Sequence, residues 1–341
     1  MGLRIEQVDT RVVPEAILRA MYGVYVELEA ELLPDDPPRP FEVMAADWRV
    51  IPSSQAVPRW LVWEDDEIVA VAVALVNLVE NLDNGYARIH VRPQHRGRGL
   101  ARRLASPVLD WLEEQKRWRL ATSMKDGAPW EALAERAGLK RVYTDQTSRL
   151  YLADVDWEMM DAWIERAAER AGDYALFYWE PPIPEELIQK YCDLVYIMNT
   201  APREDFEEED ETLTPEVWRE IEERERLSQA DLHCYVTVHK PTGDWVGYTT
   251  VETQRLHPIQ AFQWDTAVHP DHRNRGLGRW LKATMIKRLR TEHPELEWID
   301  TGNAASNEPM LNINLAMGFK PILRICNWQG ELATVRDRLG V

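Results

Sequence analysis

The sequence repeats itself once, and this repeat limits what the chain can fold into more than any other feature. The pattern V-x-P-x-H-R-x-R-G-L-[AG]-R occurs at residues 91–102 and again at 268–279, a spacing of 177 residues. A second match lies further along each copy, where Gly138 and Gly318 stand 180 residues apart. Solenoid proteins repeat every roughly 20–50 residues. A single repeat of this length therefore predicts two copies of one domain.

Both copies mix strands and helices in the same order. Apolar segments on either side of the acidic turn at 64–67 predict a hairpin, and the segments around 241–244 predict its counterpart. A strand, the repeated pattern and a helix follow in each copy. On the second of these helices apolar residues recur every four positions, at Leu277, Leu281, Met285 and Leu289. The expected fold class is α/β, in the sense of an α+β domain with a mixed sheet.

The repeat also sets the expected domain boundaries. We place the first domain at residues 1–155, a linker helix at 156–172 and the second domain at 173–341. Trp157, Met160, Trp163, Ile164 and Ala167 give the linker one apolar face, and Gly172 suits the C-terminal cap of its helix.

The composition narrows the class of protein. The 341 residues include 58 acids against 40 bases, a formal net charge of −18, and three cysteines with no CxxC pair. Binding to nucleic acid needs a basic face, so this balance disfavours that partner and favours a cationic small molecule. No stretch reaches the roughly 18 apolar residues of a membrane helix. We expect a cytoplasmic protein without a disulfide framework, a metal site or a membrane partner.

The repeated pattern contains R-x-x-G-x-[GA] between a strand and a helix. Glycine lets the backbone approach a ligand closely, and the N–H groups and dipole of the helix start favour an anion. The flanking charges agree, because 92–103 holds five arginines and no acid and 273–290 holds seven basic residues and no acid. The pattern lies mid-domain, unlike a nicotinamide Rossmann motif, and the GK[ST] of a Walker loop is absent. Both turns are therefore predicted to bind pyrophosphate.

The two copies resemble the acetyl-CoA-binding core of the GCN5-related N-acetyltransferases (GNAT). The pattern V-x-P-x-x-R-x-R-G-L-G-R and a later G-F carry the resemblance, which covers both halves in a tandem layout similar to the mycothiol synthase type. It implies that the amides of the turn hold the pyrophosphate of acetyl-CoA, or of another acyl-CoA, and that the preceding strand pairs with the pantetheine arm. The implied cofactor residues are Ala267, Val268, Arg273, Asn274, Arg275, Gly276, Leu277, Gly278 and Arg279 in the second copy, and Val91, Arg96, Gly97, Arg98, Gly99 and Ala101 in the first.

The resemblance assigns catalysis to the second copy. Family members commonly carry an asparagine eleven residues before the glycine of G-F and a tyrosine four before it. These positions are Asn307 and Asn314 in the second copy but Gly127 and Ala134 in the first, which therefore looks degenerate and either binds CoA or serves as scaffold. We include Asn303 and Asn307 among the cofactor-binding candidates, with capping of the following helix as the alternative.

The second copy also departs from the family pattern. Asn314 stands where the tyrosine acid is expected, and Phe262 stands where a glutamate base is frequent. Asp265 on the same strand and Glu252 on the preceding one are candidate replacements for the base. Either carboxylate could take a proton through a water if partial burial raises its pKa. A structural role for these carboxylates is an equal alternative.

The expected function is transfer of an acetyl group from acetyl-CoA to a primary amine of a small, cationic molecule, by direct attack in a ternary complex. The acidic run at 204–211 is either a solvated loop or a lid that attracts this amine. Two other classes stay open. One is a catalytically silent CoA-binding sensor or scaffold, and the other is an aminoacyl-tRNA-dependent peptidyl transferase, which the net charge disfavours. We expect a monomer or a homodimer.

Overall fold

The computed structural model describes residues 2–201, 205–210 and 212–341, apart from the side chain of Ala168. The first half of the chain contains β1 (Leu3–Val8), α1 (Glu15–Leu32), α2 (Phe41–Arg49), β2 (Gln55–Ala56), β3 (Arg59–Glu64), β4 (Glu67–Asn77), β5 (Asn84–Val91), α3 (Leu100–Glu114), β6 (Arg119–Lys125), α4 (Glu131–Arg136) and β7 (Lys140–Tyr151). The second half contains α5 (Trp157–Arg170), β8 (Tyr174–Trp179), α6 (Glu185–Val195), α7 (Pro215–Ser228), β9 (Ala230–His239), β10 (Asp244–Gln254), β11 (Gln260–Val268), α8 (Leu277–Glu292), β12 (Trp298–Ala304), α9 (Glu308–Met317), β13 (Lys320–Glu331) and α10 (Leu332–Leu339).

The chain forms two compact units. Most of β7, from the first half of the sequence, belongs to unit 2, and most of β13, from the second half, belongs to unit 1. Unit 1 comprises Met1–Thr144, Arg203–Asp210 and Leu323–Val341, and unit 2 comprises Asp145–Pro202 and Glu211–Ile322. The sequence-based division at 156–172 stays a prediction, and the structure places the helix of that segment, α5, in unit 2.

Each unit contains a mixed sheet, as the sequence predicted. In unit 1 the strand order is β1-β3-β4-β5-β6-β13, with β5 parallel to β6 and the other neighbours antiparallel. In unit 2 the order is β7-β12-β11-β10-β9-β8, with β11 parallel to β12. The predicted fold class is therefore confirmed.

Helices cover both faces of each sheet. In unit 1, α1 and α2 pack on one face through residues such as Leu18 and Met44, and α3 packs on the other through Leu104. In unit 2, α6 and α7 cover one face and α8 and α9 cover the other. The two faces of a sheet thus lie against different helices. Successive side chains along a strand therefore alternate between these two environments.

Local sequence patterns predicted the buried face of α8 correctly. Leu277, Leu281, Met285 and Leu289 are all buried, as their spacing predicted. Thr214 caps α7 by accepting a hydrogen bond from the N–H of Val217 at 3.3 Å. Gly172 directly follows the C-cap Ala171 of α5, but it lacks the left-handed conformation of a capping glycine. No helix in the described ranges is both long and apolar enough to cross a membrane.

Helix α8 buries one lysine among its apolar residues. Lys282 is 1% exposed, and its ammonium nitrogen lies 5.2 Å from the centre of the Phe319 ring. Burial lowers the pKa of Lys282 to about 7, and no carboxylate of the described chain contributes to that shift. The folded state therefore binds fewer protons than the unfolded state between pH 7 and the ordinary lysine range.

We expect Lys282→Met to raise the free energy of unfolding at pH 7 by about 1.4 kcal/mol or more, the value of one pKa unit. The wild type should become more stable as the pH rises from 7 towards 10, because Lys282 then loses its charge in the folded state first. The Lys282→Met variant should gain much less over that range. Urea unfolding at several pH values measures both effects.

Lys287→Met on the same helix is the matched control, since Lys287 is half-exposed and pairs with Asp161. It should change stability little and leave the pH dependence as in the wild type. Equal pH dependence in wild type and Lys282→Met would contradict the assignment of this penalty to Lys282.

Candidate active site

The turn between β11 and α8 has the backbone conformation that an anion site needs. Gly276 is the N-cap of α8 with φ 82°, and Asn274 two residues earlier has φ 62°. A side chain at Gly276 would meet nothing within 4 Å, so the turn faces open space. Gly278 in the first turn of the helix lies in ordinary contact with Ile313. The first amides of α8 are thus available to a ligand.

The first copy forms the same turn. Gly99 is the N-cap of α3 with φ 76°, and Gly97 has φ 75° in the place of Asn274. A side chain added at either glycine would meet no atom within 4 Å. The left-handed conformations explain why glycine recurs at 99 and 276, where other residues are strained. The two copies therefore share their backbone geometry at the predicted phosphate site.

The arginines of the first turn are neutralised within the chain. Arg96 donates two hydrogen bonds to the carboxylate of Glu31, at 2.8 and 2.6 Å. Arg98 binds the carboxylate of Glu64 in the same way, at 2.8 and 2.5 Å, and this contact lowers the pKa of Glu64. Phosphate would have to compete with these carboxylates.

The arginines of the second turn lack such partners. Arg273 donates to the backbone oxygen of Val268 at 2.9 Å and to the hydroxyl of Thr200 at 2.6 Å. Neither Arg273 nor Arg275 pairs with a carboxylate of the described chain. Arg279 lies over the ring of Trp163 at 5.0 Å. The positive charge at this turn therefore stays available for an anionic ligand.

The strand that leads into the second turn parts from its parallel neighbour. β11 pairs with β12 only from Gln260 to Gln263, opposite Trp298 to Thr301. From there β11 pairs with β10 alone, so its other edge opens towards the part of β12 that holds Asn303. Ala267 and Val268 lie on this open stretch and lead directly to the turn. β5 parts from β6 in unit 1 after three pairs in the same way.

A bulge distinguishes β11 from its counterpart β5. Between the pairs Thr249 with Thr266 and Val251 with Gln263, β11 carries one residue more than β10. β5 pairs with β4 without interruption up to Val91. The extra residue turns Asp265 towards the face covered by α6, where it meets Tyr248. In unit 2 the bulge thus places a carboxylate beside the parted strands.

Asp265 lies against buried tyrosines. The hydroxyl of Tyr248 donates to the carboxylate of Asp265 at 3.2 Å. Burial, together with the charge of Asp265, raises the pKa values of Tyr248 and Tyr191 well above their ordinary value. Glu252, the other candidate base, accepts hydrogen bonds from the indole of Trp264 at 3.1 Å and from Gln254. Both carboxylates therefore have ordered partners on this face.

Two of the predicted asparagines meet each other. The amide nitrogen of Asn314 donates to the amide oxygen of Asn303 at 2.7 Å. Asn314 is buried, and its own amide oxygen has no hydrogen-bond partner in the described structure. Asn307 caps α9 by accepting a hydrogen bond from Met310 at 3.4 Å, which is the alternative role expected for it. A role for any of the three in binding the cofactor stays a prediction.

The acidic run packs within unit 1 where it is described. Glu209 exchanges hydrogen bonds with Asn81, at 2.7 and 2.6 Å, and Glu207 pairs with Arg119. These carboxylates are engaged there, which weakens the hypothesis of a lid over the second site. Glu204 and Glu211 at the ends of the run lie outside the described residues.

Sequence reasoning missed several contacts of the site. Tyr248 was not singled out, although it lies on the strand next to Asp265. The partner of Arg273, Thr200, comes from a segment 73 residues away and carries no signal in the sequence. The bulge at Asp265 was detectable only as a mismatch between the strand patterns of the two copies.

Comparison with known proteins identifies the family and the fold. A sequence model described as the acetyltransferase (GNAT) family matches residues 21–139 and 195–319. No curated protein matches the sequence significantly. A tandem GNAT protein from the clavulanic acid biosynthesis pathway has a similar structure, with a TM-score of 0.78, 22% identity, and coverage of 97% of this chain and 99% of that one.

Two further solved structures share the fold at lower identity. A GCN5-related N-acetyltransferase from Sphaerobacter thermophilus has a TM-score of 0.68 at 16% identity, covering 96% of each chain. The N-myristoyltransferase of Saccharomyces cerevisiae has a TM-score of 0.58 at 12% identity, covering 96% of this chain and 79% of that one. With both halves matched by the family and the whole chain matched by a tandem fold, the protein belongs to the GNAT acetyltransferase family as a tandem, two-domain member.

Proposed function

We propose that the protein is an N-acetyltransferase that transfers an acetyl group from acetyl-CoA to a primary amine of a small, cationic molecule, with catalysis in unit 2. Membership of the family supports acyl-CoA-dependent acyl transfer in general. One observation carries the finer proposal. The bulged strand β11 holds Asp265, parts from β12 and leads directly into a turn where Arg273 and Arg275 pair with no carboxylate of the described residues.

The residues of unit 2 fit the cofactor. The amides at Gly276 to Gly278, with Arg273 and Arg275, would hold the pyrophosphate, since they form an open cradle without a competing carboxylate. The open edge of β11 at Ala267 and Val268 offers backbone groups to the pantetheine amides. Acetyl-CoA would supply an acetyl group already activated as a thioester. We assign the intact cofactor site to unit 2, because ion pairs occupy the equivalent arginines of unit 1.

The amine side of the site is anionic. Asp265 and Glu252 lie on the sheet face that α6 and α7 cover. Both come before the arginines of the turn in the chain, because those arginines follow the end of β11. Carboxylates there would attract an ammonium and could accept its proton, which an amine must lose before it attacks. The hydroxyl of Tyr248 keeps Asp265 oriented. We therefore assign Asp265 as the base, with Glu252 as the alternative.

The asparagine pair can position groups but cannot transfer protons. Asn314 occupies the place of a tyrosine acid, and an amide does not titrate. Its unpaired oxygen offers one acceptor to an N–H group of the cofactor or to a water. Acceleration would then come mainly from holding amine and thioester together. The same substitution supports a second candidate function, a CoA-binding sensor without transferase activity.

We expect Gly276→Glu to weaken acetyl-CoA binding and turnover by about 100-fold or more, because it places a carboxylate in the phosphate cradle. Calorimetric titration with acetyl-CoA and a thiol-release assay over a panel of amines measure the two effects. Thiol release that needs an amine supports the transferase, whereas tight binding without release for any amine supports the sensor.

Gly99→Glu is the matched control, since Gly99 has the same left-handed conformation and the same open surroundings. It should keep most of the turnover. Loss of turnover in a folded Gly99→Glu protein would show that unit 1, not unit 2, is the catalytic one.

We expect Asp265→Asn to lower kcat by about 10²–10⁴-fold while acetyl-CoA binding stays unchanged, because the substitution removes the base and keeps the shape. Steady-state kinetics and calorimetry separate the two. Asp244→Asn, an exposed change on β10, should behave as the wild type. Full activity of Asp265→Asn together with loss in Glu252→Gln would move the base to Glu252.

A further inference from the structure

The bulge in β11 puts two consecutive side chains on the same face of the unit 2 sheet. β11 has one residue more than β10 in this stretch, so Trp264 and Asp265 both lie on the side that α6 and α7 cover. Asp265 accepts a hydrogen bond from Tyr248 there, and the indole of Trp264 donates one to Glu252 on β10. The proposed base therefore stands next to an aromatic ring and close to a second carboxylate.

Neutral groups hold the carboxylate of Glu252. Its Oε2 accepts a hydrogen bond from the indole nitrogen of Trp264 at 3.1 Å, and its Oε1 accepts one from the amide nitrogen of Gln254 at 2.6 Å. No arginine, lysine or histidine of the described residues pairs with Glu252. A carboxylate has roughly four acceptor sites, so these two contacts orient it and leave capacity for a ligand. The charge that would balance Glu252 has to come from that ligand.

An accessible aromatic pair lies beside this carboxylate. The side chain of Trp264 is 49% exposed, and its ring meets the ring of Phe262 edge to face, with 4.6 Å between ring centres. Phe262 lies directly opposite Glu252 in the register of the two strands. The face of an aromatic ring and a carboxylate both attract an ammonium group. The surroundings of Glu252 therefore favour a cation.

Glu252 and Asp265 are too far along the sheet from each other to form one binding group. The register places Asp265 level with Thr250, two residues from Glu252 along β10. A rise of about 3.3 Å per residue and a strand spacing of about 4.8 Å put the two backbone positions roughly 8 Å apart. Gln254, the partner of Glu252, lies further along β10 in one direction. Tyr248, the partner of Asp265, lies in the other, so each carboxylate suits an ammonium of its own.

We propose that Glu252, with Trp264, determines the acceptor specificity of the site by binding a second ammonium group. The acceptor is then a linear diamine whose nitrogens are separated by about four to six carbons, which span the distance between Glu252 and Asp265. The proposal rests on the proposed acetyl transfer in unit 2. It assigns Glu252 to recognition and leaves Asp265 as the base.

Asp265 is closer to the glycine turn than Glu252, because β11 continues from it into that turn. The ammonium at Asp265 gives one proton to this carboxylate, and its nitrogen then bonds to the acetyl carbon. The bond from that carbon to sulfur breaks, and the second proton lost by the nitrogen goes to the sulfur, which leaves as the free thiol. Asp265 returns its proton to solvent. The ammonium at Glu252 keeps its protons throughout.

Unit 1 has the opposite charge at the position of the base. At the spacing of 177 residues that relates the two repeated patterns, Arg88 corresponds to Asp265. β5 pairs with β4 without interruption from Tyr86 to Val91, so this stretch has no bulge. A guanidinium repels an ammonium, and recognition of the diamine is therefore assigned to unit 2.

The test is steady-state kinetics of the full-length protein with acetyl-CoA and three acceptors of equal chain length, measured as release of the CoA thiol. Cadaverine has two ammonium groups, pentylamine has one, and ε-aminocaproate has a carboxylate in place of the second. We expect kcat/KM to be about tenfold or more higher for cadaverine than for pentylamine. It should be lowest for ε-aminocaproate, because Glu252 repels its carboxylate.

Glu252→Gln keeps the shape of the side chain and removes its charge. It should raise the KM of cadaverine about tenfold or more with little change in kcat, and the preference for cadaverine over pentylamine should disappear. Trp264→Leu should weaken that preference in part, because the carboxylate stays. Asp244→Asn, an exposed change near the other end of β10, should keep the wild-type preference.

Equal kcat/KM for cadaverine and pentylamine, or an unchanged preference in Glu252→Gln, would overturn this proposal and leave the transferase function intact. A large fall in kcat for every acceptor in Glu252→Gln would also overturn it, since Glu252 would then act as the base. If no amine releases the thiol, the transferase function fails, and calorimetric titration with the same amines decides the diamine site. Cadaverine binding that is about tenfold tighter than pentylamine binding and lost in Glu252→Gln supports the site, and equal binding overturns it.

Discussion

The candidate site depends on the parting of β11 from β12. Four residue pairs, ending at Gln263 and Thr301, hold the strands together, and beyond them β11 stays paired with β10. A strand that has lost one partner presents N–H and C=O groups that need a new one. An extended ligand with amides of its own can supply them. Since the strand runs directly into the turn at Gly276, the open edge and the anion cradle are consecutive pieces of one backbone.

The two copies share the backbone geometry of the turn but differ in its electrostatics. Gly99 and Gly276 share a left-handed conformation and an open surrounding, so the cradle itself is the same in both. What differs is the partner of the neighbouring arginine: Arg96 binds Glu31, whereas among the described residues Arg273 binds a backbone oxygen and the hydroxyl of Thr200. A few acids on α1 and β3 are enough to change an anion site into a set of internal ion pairs while the fold stays intact.

The sequence predicted the features that neighbouring residues determine. The buried stripe of α8 and the glycine turn at Gly276 depend on residues within a few positions of one another, so a pattern reveals them. The pairing of Arg96 with Glu31 spans 65 residues, and nothing in one sequence says which acid an arginine will meet. The exchange of β7 and β13 between the units has the same cause, because an apolar strand pattern is equally suited to either sheet. The contact of Asn303 with Asn314 could be predicted only after the parting of β11 from β12 was known.

Arg88 and Asp265 give the same strand position opposite charges in the two copies. A guanidinium that holds a carboxylate repels an ammonium at the same place, by roughly 4 kcal/mol for unit charges 4 Å apart at an effective dielectric constant of 20. One pocket therefore cannot recognise an acid and an amine equally well. Duplication removes that conflict, since each charge occupies the same strand position in its own sheet. In unit 1, Gly127 and Ala134 also stand where the family resemblance leads us to expect polar groups, so the two copies differ both in this charge and in the polar groups beside it.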